Sequence, residues 1–123
     1  MYSARLLDHF QNPRNVGELP PPAVTVEVSN PVCGDILRLS VEFRDGSVAQ
    51  ARYKTRGCTA SIAAGSALTE MLAGKTGLEI VAIRPADVEN AVGGLSVESK
   101  HAAVLAVDAV RALLHDATIA NLI

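Results

Sequence analysis

The sequence predicts an α+β fold, with three β-strands early in the chain and about five helices before and after them. Three observations predict it. Apolar and polar residues alternate in three segments between residues 24 and 54. From Thr59 onward the apolar residues recur at helical spacing instead. Between the second and third alternating segments stands Asp45-Gly46, a hairpin signal. At 123 residues the chain reads as one domain, 1–123, large enough for one ordinary core. With 49% hydrophobic and only 3% aromatic residues, that core must come from Val, Leu, Ile and Ala.

Ser3 is placed to cap a first short helix carrying Leu6, Leu7 and Phe10 on its apolar side. Pro13, within Asn12-Pro13-Arg14-Asn15-Val16-Gly17, ends it. His9 lies in this helix and is read as a surface residue. Pro20-Pro21-Pro22 predicts a stiff, extended linker. Val24, Val26 and Val28 then mark a half-buried strand, and Leu37, Leu39, Val41 and Phe43 a second. Ala49, Ala51 and Tyr53 share one face of a third.

The hairpin register follows from these faces. A two-residue turn at Asp45-Gly46 would set Leu39 against Arg52 and mix core with solvent. A three-residue loop, with Gly46 left-handed, sets Leu39 against Tyr53 and Val41 against Ala51. Extended to the open end, that register puts Asp35 opposite Gly57 and Cys33 opposite Thr59, with Cys58 between. Ala60, Ala64, Ala67, Leu68 and Met71 form the stripe of the next helix, which Gly74 stops. Residues 78–83 and 85–92 predict two short helices, the second with Pro85 at its first position. After Gly93-Gly94, Leu105, Ala109, Ala112 and Leu113 mark the last helix, with His101 one turn before Leu105 on the core side.

Formal net charge is −2 with no basic run, which argues against nucleic acid as a partner. No apolar run approaches the roughly 18 residues of a membrane helix. The start, Met1-Tyr2-Ser3-Ala4-Arg5, reads as the approach to an amphipathic helix and not as a signal peptide, which predicts a cytoplasmic protein. Two cysteines in such a chain suit free thiols or metal ligands better than a disulfide framework.

Cys33, Asp35, Cys58 and His101 make a mixed sulfur, oxygen and nitrogen set. Two thiolates and an imidazole suit zinc or an iron–sulfur cluster, and a carboxylate can take the fourth position. Gly34 and Gly57 beside the cysteines allow close backbone approach. Cys58 is predicted at a helix N-terminus, where the dipole favours a thiolate. The plainer alternative is two buried thiols in contact, or a disulfide, with Asp35 a turn residue and His101 a satisfied residue near a helix cap.

These segments resemble the iron–sulfur cluster assembly scaffolds of the IscU/NifU type, over almost the whole chain. Residues 8–17 resemble the opening signature of that family. Cys33-Gly34-Asp35 resembles its first cysteine and its aspartate. Tyr53-Lys54-Thr55-Arg56-Gly57-Cys58 resembles the strand into its second cysteine, and Gly93-Gly94-Leu95 with His101 the approach to its third. The resemblance implies a three-stranded antiparallel sheet packed with helices. It implies a non-enzymatic scaffold that takes sulfur from a cysteine desulfurase, builds a [2Fe–2S] cluster, and passes it to apo iron–sulfur proteins. Zinc can occupy the same site. Cys33, Asp35, Cys58 and His101 would be the cofactor and metal ligands, with Asp35 promoting cluster release.

This chain departs from the pattern at two places. Ala102 stands where the family has its third cysteine, so the resemblance implies that one ligand and one sulfur acceptor of the family are missing. Leu95-Ser96-Val97-Glu98-Ser99 replaces the Leu-Pro-Pro-Val-Lys segment of scaffolds served by a dedicated Hsp70-type chaperone, so that pairing is not expected. The chain also lacks the insertion between Met71 and His101 expected of zinc-dependent SufU-type relatives. Three functions compete: a cluster scaffold, a sulfur relay that accepts persulfide on Cys58 or Cys33, and a zinc-stabilised binding module that has lost assembly.

Overall fold

The computed structural model describes residues 2–123. Helix α1 (Ala4–Gln11) is followed by strands β1 (Val24–Ser29), β2 (Ile36–Arg44) and β3 (Ser47–Arg56). Helices α2 (Thr59–Leu72), α3 (Gly77–Val81), α4 (Pro85–Ala91) and α5 (His101–Ile119) complete the chain, with a 3-10 turn at Val97–Ser99 before α5. The sheet is antiparallel in the order β1-β2-β3. One face is covered by α2, over β3, and by α5, over β1 and β2. The core lies between, built from Leu37, Leu39, Val41, Tyr53, Leu68, Leu72, Val110 and Leu113 among others. The α+β class and the antiparallel sheet are those the sequence predicts.

The hairpin reaches the predicted register by a different route. Leu39 faces Tyr53 and Val41 faces Ala51, but the turn is the two-residue one, with Arg44 opposite Ser47. Asp45 (φ 55°) and Gly46 (φ 78°) both take the left-handed conformation. A primed two-residue turn has the twist that suits the hairpin. The extra residue is absorbed by a bulge between Glu42 and Phe43, where the pairing passes from Gln50 to Val48. The bulge therefore turns Val48 inward and Ala49 outward, which corrects the predicted inward face of β3.

Three smaller expectations also change. Helix α1 buries Leu6 and His9, not Leu7 and Phe10, which stay about two-fifths exposed at 38% each. His9 is buried against α2, with its Nδ1 2.8 Å from Ser66 Oγ. Its burial, helped by the Arg14 cation, lowers its pKa against the opposing pull of Glu70 and Asp8. Pattern reading missed this because a small serine on the neighbouring helix makes room for the ring. Residues 20–23 form a turn, closed by Ala23 N–H donating to Pro20 O, where an extended linker is predicted. The Pro21–Pro22 peptide bond within this turn is cis.

Gly65 sits mid-helix in α2 with Tyr53 beneath it. A Cβ there would lie 2.5 Å from Tyr53 Cδ2 and 2.6 Å from Cε2. The ring cannot retreat, because Tyr53 is 2% exposed and its hydroxyl donates to Ile62 O. Alanine improves helix propensity by about 1 kcal/mol, but overpacking a tight core costs about 1–3 kcal/mol, more when the neighbour is rigid. Gly65→Ala is expected to lower Tm by several degrees, on the order of 4 °C for each kcal/mol of net loss. A thermal melt of the metal-free protein checks it; an unchanged or raised Tm would show that Tyr53 can yield.

Candidate functional site

The open end of the hairpin carries the site. The β2–β3 ladder ends at Ile36 and Arg56, so Asp35 and Gly57 come just beyond it on facing strands. Gly57 is needed for that approach: a Cβ there would lie 2.5 Å from Asp35 Cγ. The ladder stops before Cys33 and Thr59, which are not paired; Cys33 reaches the corner from the loop between β1 and β2. Asn30 shapes that loop, its Oδ1 accepting Val32 N–H, while Asn30 N–H donates to Asp35 O. This is an Asx-type turn, with Gly34 left-handed at φ 78°.

Cys58 is the N-cap residue of α2, yet its thiol makes no capping bond. Instead Cys58 Sγ lies 3.3 Å from Asp35 Oδ2, 3.4 Å from Ser61 Oγ and 3.5 Å from His101 Nε2. His101 Nε2 lies 3.3 Å from Asp35 Oδ2. The other ring nitrogen, Nδ1, is 3.0 Å from Glu98 O. A carbonyl can only accept, so Nδ1 carries a proton, and Nε2 is the ring nitrogen that faces the corner. The 3-10 turn at Val97–Ser99, which pattern reading missed, supplies that carbonyl.

The structure places all four predicted residues at this corner. Cys33 Sγ, a carboxylate oxygen of Asp35 and a ring nitrogen of His101 lie within 4.8 Å of one another. Cys33 is exposed, Cys58 half-buried, and both are free thiols, so neither the pair of buried thiols nor the disulfide describes them. Asp35 is 5% exposed. Burial pushes its carboxyl pKa up, but hydrogen bonds from Ser61, from the Cys58 thiol and from Cys58 N–H, with the His101 charge, outweigh burial and hold it below the usual range. Its stabilising contribution is complete above the ordinary carboxylate pKa and is lost as pH falls through the lower folded value. Ala102, next to His101, is buried. Sequence reasoning overlooked Ser61, which shares Asp35 with Cys58. The available signal was its place one turn after Cys58 on the same helix face.

The distances have a chemical meaning. Bond lengths of about 2.3 Å to sulfur and about 2.0–2.1 Å to nitrogen or oxygen set ligand atoms about 3.3–3.6 Å apart around a tetrahedral ion. Asp35 Oδ2, Cys58 Sγ and His101 Nε2 stand 3.3–3.5 Å apart, at the spacing of three tetrahedral corners. Cys33 Sγ lies on the exposed side, within 4.8 Å of the Asp35 and His101 donor atoms.

Fold and site together define a small α+β domain presenting a thiol, carboxylate and imidazole corner at the mouth of a hairpin. The chain belongs to the family described as NifU-like N terminal domain, which matches residues 1–119. It is 41% identical over 116 residues to iron–sulfur cluster assembly scaffold protein IscU 1 of Archaeoglobus fulgidus, covering 94% of this chain and 76% of that one. It is 37% identical over 119 residues to the scaffold protein IscU of Azotobacter vinelandii, covering 94% and 92%. Two solved structures share the fold. One is a candidate SUF-system cluster assembly scaffold from Fervidobacterium islandicum AW-1, with TM-score 0.75 at 20% identity over 92% of this chain and 96% of that one. The other is the N-terminal part of a NifU-like protein from Brucella abortus, with TM-score 0.63 at 23% identity over 94% and 81%. Among the described residues no helix is long and apolar enough to cross a membrane.

Proposed function

We propose that this chain acts as one iron–sulfur cluster assembly scaffold domain. Its cargo, iron or a [2Fe–2S] cluster, is held by Cys33, Cys58, His101 and Asp35. A cysteine desulfurase supplies the sulfur, and apo-proteins receive the product. The observation that carries the reading is the spacing of Asp35 Oδ2, Cys58 Sγ and His101 Nε2 at 3.3–3.5 Å beside an exposed Cys33. An accessible thiol beside recessed ligands suits a cargo that is received and passed on. The scaffold names of its relatives support the same reading. The role is a holding one, with no turnover of a small-molecule substrate. Zinc takes the same donors and would occupy the same corner.

Anaerobic reconstitution with ferric iron and sulfide, which already have the oxidation levels of a [2Fe–2S]2+ cluster, tests this. Cluster absorption in the visible is expected. A colourless protein that binds zinc tightly would point to the zinc-stabilised module instead. The exposure of Cys33 also favours a relay reading, in which this thiol accepts persulfide. After incubation with a desulfurase and cysteine, mass spectrometry would then show one added sulfur atom on Cys33.

Ala102 bears on how firmly the cargo is held. The helix start offers His101 alone, a neutral ligand, so the site carries one negative charge fewer than a three-cysteine site. Ala102→Cys is expected to slow the loss of a reconstituted cluster, followed as decay of its visible absorption. Identical decay in parent and variant would mean that residue 102 does not face the metal.

A further inference from the structure

We propose that Ser61 is a positioning residue: it holds the Asp35 carboxylate in the ligand position and so sets the affinity of the corner for its ion. The proposal rests on the reading above that Asp35 is among the ligands. Ser61 is 3% exposed, and its hydroxyl donates to Asp35 Oδ2 at 2.6 Å. That same oxygen stands 3.3 Å from Cys58 Sγ and 3.3 Å from His101 Nε2. The hydroxyl therefore grips the carboxylate atom that faces the other two donors.

The carboxylate is held on both sides. The Oδ1 edge lies over the bare Cα of Gly57, where a Cβ would come within 2.6 Å of it. The Oδ2 edge is tied to Ser61. A serine inside a helix commonly returns its hydroxyl to the carbonyl four residues back. The bonds of Ser61 run instead to Asp35 and Cys58. Because Ser61 lies one turn after Cys58, a single helix end presents both the thiol and the group that aims the carboxylate at it. A carboxylate accepts more than one bond at each oxygen, so Oδ2 can keep the Ser61 hydrogen bond while binding an ion. Ligating carboxylates are themselves hydrogen-bonded, and losing such a partner typically lowers metal affinity about 10–100-fold.

The test uses the metal-free protein and zinc ion alone, titrated against a chromophoric chelator. Parent, Ser61→Ala, Asp35→Ala and the double variant are compared, with circular dichroism of each metal-free protein. Ser61→Ala is expected to fold and to bind zinc about 10–100-fold more weakly. It should add nothing further once residue 35 is alanine, an outcome that a general role in the fold would not produce. If Asp35→Ala weakens zinc binding and Ser61→Ala does not, the positioning role is overturned and the corner stands. An equal loss from Ser61→Ala with and without Asp35 also overturns it, since the effect would not pass through the carboxylate. An unfolded Ser61→Ala would show that the hydroxyl serves the fold, overturning it too. Unchanged affinity in Asp35→Ala removes Asp35 from the ligands, and both readings fall together.

Discussion

Cys58→Ala is expected to weaken zinc binding by two to three orders of magnitude while leaving the metal-free fold almost unchanged. A structural zinc site is worth about 10–16 kcal/mol over four ligands, so each contributes on the order of 3 kcal/mol, or about 100–1000-fold in affinity. Few positions in a core lose so much function at so little cost in stability. This one should, because the Cys58 side chain makes no capping bond to α2. The helix end is tied instead to the Asp35 carboxylate through the Ser61 hydroxyl, which donates to Oδ2 at 2.6 Å. Alanine at position 58 leaves that bond in place. Zinc competition and a thermal melt, measured on the same preparation, check both halves. Zinc affinity within about tenfold of the parent would mean that Cys58 is not a ligand. A large fall in Tm would mean that the thiol packs the fold.

The second large effect is expected at Gly57, a residue that touches no metal. In Gly57→Ala the new methyl would meet Asp35 Cγ at 2.5 Å, Oδ1 at 2.6 Å and Cβ at 2.9 Å. Asp35 is buried and held by the Ser61 and Cys58 bonds, so the contact cannot be relieved without breaking them. Overpacking of this kind costs about 1–3 kcal/mol, and leaving a buried carboxylate short of its donors costs about 1–3 kcal/mol more. Gly57→Ala is therefore expected to lose both stability and zinc affinity, the reverse of the split at Cys58. Asp35→Gly in the same background removes the clashing side chain and should recover most of the Tm but none of the affinity. No recovery of Tm would place the damage in the backbone at Gly57.

Much of this was legible in the amino-acid sequence, for a definite reason. Strand and helix periods depend on neighbours two to four residues apart, so β1 to β3 and the five helices could be read directly. The register of β2 against β3 was legible because a slip of one residue would turn Leu39, Val41 and Tyr53 out of the core. That register led in turn to Asp35 meeting Gly57, and to Cys58 beside them.

Other features were decided only by the tertiary structure. The bulge at Glu42 and Phe43 was hidden because two turn geometries produce the same distal register, and only the backbone twist chooses between them. The burial of His9 depends on Ser66, 57 residues away, leaving space for its ring. The orientation of His101 depends on the carbonyl of Glu98, a backbone atom that no residue pattern advertises. Ser61 is one serine among several until the fold brings a carboxylate within 2.6 Å of its hydroxyl. Residue types and periods determined which groups the corner could contain. The chain's return through α2 and α5 decided which of their atoms face one another, because that depends on contacts between residues far apart in sequence.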